Sequence, residues 1–135
     1  MKTEHLVRIA TTLERALEYL RPCAPDETLY DLFRNAAIKS FELGLETGGK
    51  SLRRALKEYL GAARTVDALS FNDVLRQALK FQILTPDETE RWLQYRSNRN
   101  STAHDYGEHF ANETLRLLPT FASDLRALAE RLDDR

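Results

Sequence analysis

The chain has 135 residues, of which 42% are apolar, and it carries a formal net charge of −1 and a single cysteine. This length and apolar content suffice for one domain, residues 1–135, with a buried core, whereas one cysteine excludes an internal disulfide and favours a reducing compartment. The near-neutral charge excludes a general attraction to nucleic acid, so RNA binding requires a local basic surface.

The composition also indicates where the protein resides and which structure it adopts. No stretch approaches the roughly 18 consecutive apolar residues of a membrane span. The first residues, MKTEHLVR, carry charges throughout and lack the apolar core of a signal peptide. We therefore expect a cytoplasmic protein without a membrane partner. Five glycines and four prolines leave little room for loops, as is typical of helical proteins.

An apolar stripe at helical spacing predicts a first helix from about Thr3 to Leu20. Pro22 and Pro25 end this helix, because proline cannot donate the backbone hydrogen bond that a helix interior needs. Asp26 has the residue type of a helix N-cap and predicts the start of the next helix.

The second segment contains conflicting signals. Gly44, Gly48 and Gly49 each weaken a helix by about 1 kcal/mol relative to alanine, which favours a break. However, the apolar residues step by three or four through this region without losing phase, whereas a loop would reset the phase. We therefore predict one long helix from about Asp26 to Leu60, in which the small residues allow another helix to approach closely.

The second half of the chain predicts shorter helices. Ser70 with Asp73 forms a capping box for a short helix, and Thr85-Pro86 starts a helix that leads to Arg99. A last helix runs from about Glu108 to Leu132, and an internal proline, Pro119, is expected to kink or divide it. No β pattern is present. The predicted fold class is all-α, an antiparallel up-and-down bundle of four to five helices.

The segment 99–106, RNSTAHDY, contains the residues that indicate chemistry. Arginine is always protonated and has a planar fork of donors suited to phosphate, whereas histidine exchanges a proton near pH 7. In an unbroken helix Arg99 and His104 would point about 140° apart. Asn100, Ser101 and Thr102 favour helix ends, because their side chains compete for backbone hydrogen bonds. We therefore expect a helix break that lets Arg99 and His104 converge.

The pattern R-x-x-x-x-H-x-Y resembles the signature of the HEPN superfamily, in particular the HepT-type toxins and the related nucleotidyltransferase substrate-binding proteins. Residues 34–42, RNAAIKSFE, resemble an element of that family, and Glu46, Lys50, Leu52 and Trp92 lie where the family carries matching residues. The resemblance implies a HEPN-like bundle that acts as a homodimer. It also implies the toxin half of a bacterial toxin–antitoxin pair, with a minimal nucleotidyltransferase antitoxin as its partner.

This resemblance and the chemistry of the motif together assign candidate roles. Arg99 is expected to hold the scissile phosphate of an RNA substrate, and His104 to take a proton from the ribose 2′-hydroxyl or give one to the leaving 5′-oxygen. A single histidine is poorly suited to both tasks, so two motifs in a symmetric dimer would supply the partner. Tyr106 is the expected site of AMP transfer by the nucleotidyltransferase. Asn100 and Glu42 are supporting candidates.

Several simpler interpretations remain open at this stage. Arg91, Arg96 and Arg99 form either a basic surface beside the motif, with Arg96 as a substrate-binding candidate, or a solvated helix face paired with Glu88 and Glu90. The whole protein is either a metal-independent endoribonuclease or a non-catalytic subunit that presents a substrate to the nucleotidyltransferase. A helical scaffold without a site would leave the motif unexplained.

Other clusters predict no further chemistry. His5 and His109 lack the ligand spacing of zinc sites, so we expect neither a metal nor a cofactor. Glu42, Glu46 and Lys50 have the spacing of charge pairs on one helix face. DNA is not an expected partner.

Overall fold

The computed structural model describes residues 3–102 and 108–134, except for the side chains of residues 100–102 and 108–111. The described part of the chain forms six α-helices and no strand, which confirms the all-α fold class. The helices are α1 (Glu4–Leu20), α2 (Thr28–Leu60), α3 (Ala63–Asp67), α4 (Phe71–Lys80), α5 (Pro86–Thr102) and α6 (Glu108–Asp133).

The long helix α2 is the centre of the bundle, and it packs against each of the other five helices. Helices α1 and α6 are antiparallel, since Thr3 bonds to Asp133 near one end of the pair and Glu14 bonds to Arg126 further along. The same helix–helix contacts bury one continuous core of leucine, alanine and aromatic side chains.

Helix α2 runs unbroken through its three glycines, as the apolar phase predicts. Each glycine lies under an aromatic ring of another helix. A Cβ atom at Gly44 would lie 2.7 Å from the Phe121 ring, and one at Gly48 would lie 2.8 Å from Trp92. The loss of helix propensity at these positions is therefore offset by aromatic packing directly against the α2 backbone.

Four of the core aromatic rings meet where α2, α5 and α6 come together. Phe41, Tyr95 and Trp92 surround Phe121 in edge-to-face contacts, with ring centroids 4.9 Å apart for the Phe41–Phe121 and Tyr95–Phe121 pairs. All four side chains are buried. Because aromatic edges and faces attract only in specific orientations, this cluster fixes the position of α5 on α2.

Both predicted helix starts, at Ser70 and Thr85, are confirmed. The Ser70 hydroxyl accepts a hydrogen bond from the Asp73 amide at 3.1 Å. The Thr85 amide donates to the Glu88 carboxylate at 2.8 Å, and the Glu88 amide donates to the Thr85 hydroxyl at 3.1 Å, so this start is a complete capping box. These bonds satisfy amides that the first turn of a helix leaves unpaired.

Two details differ from the sequence-based predictions. Helix α3 was not predicted, because five residues are too short to show a helical period. Helix α2 begins at Thr28 rather than Asp26, since Glu27 occupies the N-cap position without a side-chain bond. Of the two outcomes expected at Pro119, a division of α6 is excluded because the helix continues through the proline, and a kink stays a prediction. Helix α5 ends at Thr102, one of the residues predicted to favour a helix end, and α6 begins at Glu108; residues 103–107 lie outside the described residues.

Candidate functional site

Helix α5 carries Arg99 and is held against α6 by a buried carboxylate. The Arg91 guanidinium donates two hydrogen bonds to Asp124, at 2.9 and 2.8 Å, and the Tyr95 hydroxyl donates a third at 2.6 Å. Burial, together with the bond to Asp124, raises the pKa of Tyr95 well above its ordinary value. The hydrogen bonds to Asp124 likewise raise the pKa of Arg91.

This geometry corrects the role of one arginine. Arg91 pairs with Asp124, so it neither belongs to a basic surface nor pairs with Glu88. Glu88 instead receives a hydrogen bond from Arg131 at 2.7 Å. Asn98, the residue directly before the motif, donates to the buried Thr114 hydroxyl at 3.0 Å, which adds a second polar link between α5 and α6.

Arg96 and Arg99 project to the other side of α5, where they line a cavity of about 430 Å³ between α2, α4 and α5. The cavity has the size of pockets that bind small ligands. Its apolar and small lining residues are Leu43, Leu45, Gly49 and Phe71. Seven of its lining residues are charged, five of them cationic and two acidic: Lys39, Lys50, Arg53, Arg96, Arg99, Glu42 and Glu46.

The cavity is therefore basic although the chain is not. Its charged residues sum to +3, whereas the whole chain carries a net charge of −1. Such a local excess of one sign in a concave site attracts and concentrates ligands of the opposite sign. The chemistry that fits this cavity is the binding of an anion such as a phosphodiester.

Arg99 and Glu42 are brought together across the α2–α5 interface. The Arg99 Nη2 and Glu42 Oε2 atoms lie 4.0 Å apart, and both side chains are half-buried, at 35% and 28% exposure. This separation is at the outer limit of an ion pair and too long for a hydrogen bond. The guanidinium fork of Arg99 is therefore oriented towards Glu42 without being held by it.

The remaining cations of the cavity differ in how firmly they are held. Arg96 lies over the Phe71 ring, with its guanidinium carbon 5.0 Å from the ring centroid. Arg53 donates to the backbone carbonyls of Val66 and Leu69 at 2.8 and 2.9 Å, so it holds the α3 region against α2.

The charge pairing predicted along α2 is present between Lys50 and Glu46, at 3.2 Å. Both side chains are exposed, and such pairs contribute little because water and salt screen them. Lys50 is therefore held loosely.

Three of the charged or aromatic lining residues, Lys39, Arg53 and Phe71, had no functional role in the sequence-based site. The spacing of Lys39, Glu42, Glu46 and Lys50 places these residues on one face of a helix, and this is the signal that groups them. No sequence pattern indicates that Phe71, from a separate helix, closes the same cavity.

Two residues of the predicted site, His104 and Tyr106, lie outside the described residues, as does the side chain of Asn100. Their roles stay predictions. In the parts of the chain that are described, no three His, Cys, Asp or Glu side chains come together to hold a metal ion. No described helix has the length and apolarity needed to cross a membrane.

Comparison with known proteins identifies the family. Residues 2–134 match the family described as nucleotidyltransferase substrate binding protein like. The chain belongs to this family. It is also 30% identical, over 99 residues, to a probable ribonuclease HepT of Haemophilus influenzae. That match covers 73% of this chain and 66% of the relative, just under two thirds of its length.

Solved structures of similar proteins share the fold. A Haemophilus influenzae protein, whose structure was described as revealing the fold of a substrate-binding domain of a nucleotidyltransferase, superimposes with a TM-score of 0.83 at 24% identity, over 98% of this chain and 99% of that one. A Thermus thermophilus protein superimposes with a TM-score of 0.71 at 27% identity, over 92% of this chain and 98% of that one. The helical arrangement of the family therefore extends over nearly the whole chain.

Proposed function

We propose that this family member is a metal-independent endoribonuclease toxin that is neutralised by a nucleotidyltransferase partner. The observation that carries the proposal is the position of Arg99 in a cavity of charge +3 within a chain of charge −1. A cavity of this kind suits a phosphodiester better than an uncharged substrate. The similarity to a probable ribonuclease HepT supports the same activity.

The proposed reaction needs one phosphate-binding group and one group that moves a proton. Arg99 binds the scissile phosphate through two N–H groups and stabilises the negative charge that develops on it. His104 takes the proton of the ribose 2′-hydroxyl, and the 2′-oxygen forms a bond to phosphorus. The bond from phosphorus to the 5′-oxygen breaks, and the 5′-oxygen takes up a proton. The products are a 2′,3′-cyclic phosphate and a 5′-hydroxyl.

Two imidazoles serve this reaction better than one, because a base and an acid are needed in the same turnover. A two-fold homodimer that places both motifs at one cleft supplies them. In this arrangement His104 of one protomer acts as the base, and the equivalent residue of the second protomer protonates the 5′-oxygen.

Glu42 has a positioning role in this proposal. Its carboxylate lies 4.0 Å from the Arg99 guanidinium and attracts it towards the cavity before RNA binds. When a phosphate enters, it replaces Glu42 as the closer and bidentate partner of Arg99. Asn100, the next residue along α5, is proposed to add a polar contact to the same substrate.

Substitutions at Arg99 test the phosphate-binding role. We expect Arg99→Ala to reduce RNA cleavage by about 100-fold or more, as the loss of a transition-state donor does elsewhere. Arg99→Lys should rescue poorly, because lysine keeps the charge but loses the planar fork. Arg54→Ala is the matched control, since Arg54 is an exposed α2 residue outside the cavity lining. Equal losses in the Arg54 and Arg99 variants would contradict a specific role.

The proposed neutralisation acts on Tyr106, which lies two residues from His104 in the sequence. The partner transfers AMP from ATP to the phenol oxygen with release of pyrophosphate. The attached phosphate then pairs with Arg99 and blocks RNA. Intact-mass measurement after incubation with the partner and ATP should show added AMP units in the wild type and none in Tyr106→Phe. Added mass that persists in Tyr106→Phe would place the modification elsewhere.

One alternative also agrees with the family description: a non-catalytic subunit that binds a substrate for the nucleotidyltransferase. In that case neither the wild type nor any variant cleaves RNA, whereas binding to the partner is tight. RNA cleavage by the purified wild type that depends on Arg99 excludes this alternative.

A further inference from the structure

Two cations, Lys50 of α2 and Arg96 of α5, line the basic cavity together with Phe71 of α4. The Phe71 ring of α4 packs on Gly49, where an added Cβ would lie 2.8 Å from the ring. The Arg96 guanidinium lies over the same ring at 5.0 Å. Lys50 follows Gly49 directly and lines the same cavity. Lys50 and Arg96 therefore form a second cationic position near Phe71.

The backbone of Lys50 is separate from the place where Arg99 meets Glu42, whereas Arg96 lies closer to it. Lys50 lies eight residues along α2 from Glu42, which corresponds to a rise of about 12 Å, and Arg96 lies three residues along α5 from Arg99, a rise of about 4.5 Å. Stacked nucleotides rise by about 3.4 Å each, so a strand of a few nucleotides spans both distances. A strand with one phosphate at Arg99 is therefore long enough to place a following phosphate near Arg96 and Lys50.

Both cations are available to such a phosphate. The only carboxylate bonded to Lys50 in the described part of the chain is Glu46, and this pair is exposed at 73% and 63%. A phosphodiester competes well with an exposed pair that water already weakens. The cation–π contact with Phe71 positions the Arg96 guanidinium at the cavity wall without using its N–H groups, which can donate hydrogen bonds to phosphate oxygens.

We propose that Lys50 and Arg96 form a second phosphate site, which binds a phosphodiester on the same strand as the one at Arg99. The ligand of this cavity is then single-stranded RNA of several nucleotides rather than a free mononucleotide or an acidic protein surface. The inference rests on the proposed function in taking RNA as the substrate, but it concerns binding and does not require cleavage.

The test measures the affinity of a fluorescein-labelled single-stranded RNA of about 12 nucleotides by anisotropy, at about 50 and 200 mM salt. The protein carries His104→Ala, so the RNA stays intact. Each phosphate contact contributes about 0.7 to the slope of log Kd against log salt for single strands. Losing one contact therefore lowers the ratio of the two Kd values by a factor of about 2.6.

We expect Lys50→Gln to lower the ratio of the Kd at 200 mM salt to the Kd at 50 mM salt by a factor of about 2.6, and to weaken RNA binding at low salt. Glu46→Gln should tighten binding, since it removes a competing carboxylate. The matched control is Lys80→Gln, because Lys80 is an exposed α4 residue outside the cavity lining and loses the same charge. Lys50→Gln should also affect the RNA oligomer more than 5′-AMP.

Three results would overturn the inference: equal effects of Lys50→Gln and Lys80→Gln, equal effects on the oligomer and on 5′-AMP, or loss of nucleotidyltransferase binding with RNA affinity unchanged. The proposed function fails in a different way. If the wild type cleaves no RNA while Lys50→Gln still weakens RNA binding as expected, the second phosphate site stands and the ribonuclease proposal falls.

Discussion

Gly48 is the position at which Trp92 of α5 rests directly on the backbone of α2, and Gly48→Ala tests that contact. The new Cβ would lie 2.8 Å from Trp92 Cη2 and 3.2 Å from Cζ3, whereas favourable carbon contacts lie at about 3.5–4.0 Å. Trp92 is fully buried, so it has no free space into which to move. Overpacking of this kind costs about 2 kcal/mol. The gain in helix propensity offsets about 1 kcal/mol, which leaves a net loss of about 1 kcal/mol.

Urea unfolding followed by circular dichroism at 222 nm measures this loss. Ala36→Gly, at an exposed position of the same helix, calibrates the propensity contribution and should cost about 1 kcal/mol. In a Trp92→Phe background, which lacks the clashing ring atoms, Gly48→Ala should become neutral or stabilising. A Gly48→Ala protein that is more stable than the wild type would refute the close approach of α5 to α2 on which the geometry of the cavity depends.

Three further predictions concern the polar links between helices. Asp124→Asn should destabilise the protein by about 2–3 kcal/mol in urea unfolding, because it leaves Arg91 and the Tyr95 hydroxyl without their charged acceptor. Because the pKa of Tyr95 is raised in the folded protein, its protonated hydroxyl stabilises the fold; this contribution is fully present below about pH 10 and is lost as the pH rises further. Absorbance at 295 nm should therefore show one tyrosine that ionises only when the protein unfolds. Burial raises the pKa of Glu88, but hydrogen bonds from Arg131 and a backbone amide outweigh this effect, so the pKa lies below its ordinary 4.5. The ionised Glu88 therefore stabilises the fold above pH 4.5, and this contribution is lost as the pH falls. Arg131→Gln should reduce the difference between the urea midpoints measured at about pH 7 and about pH 3.

The helices were predictable because local signals specify them. The unbroken period of apolar residues predicted that α2 continues through its glycines, and the capping residues predicted the starts of α4 and α5. The short α3 was missed, since its stability comes from burial of Val66 and from the Arg53 bonds to the carbonyls of Val66 and of Leu69 just beyond the helix, rather than from any period. Of the kink or division expected at Pro119, the division does not occur, because residues on both sides of the proline pack on the core and continue the helix.

The cavity was less predictable than the fold. Arg96, Arg99 and Glu42 could be nominated from the motif and the family element. Arg91 was misassigned because its partner Asp124 lies 33 residues away, so no local pattern indicates the pair. Lys39 and Phe71 come from different helices and contribute to the cavity only through tertiary packing.

The proposed metal-independent cleavage of RNA is tested most directly by comparing the wild type with His104→Ala on one RNA in the presence of EDTA. We predict that the wild type produces fragments with 2′,3′-cyclic phosphate and 5′-hydroxyl ends. We predict that His104→Ala produces none, although its circular dichroism and oligomeric state match the wild type. Equal cleavage by the two proteins would contradict the role of His104, and cleavage that EDTA abolishes and magnesium restores would contradict a metal-independent reaction.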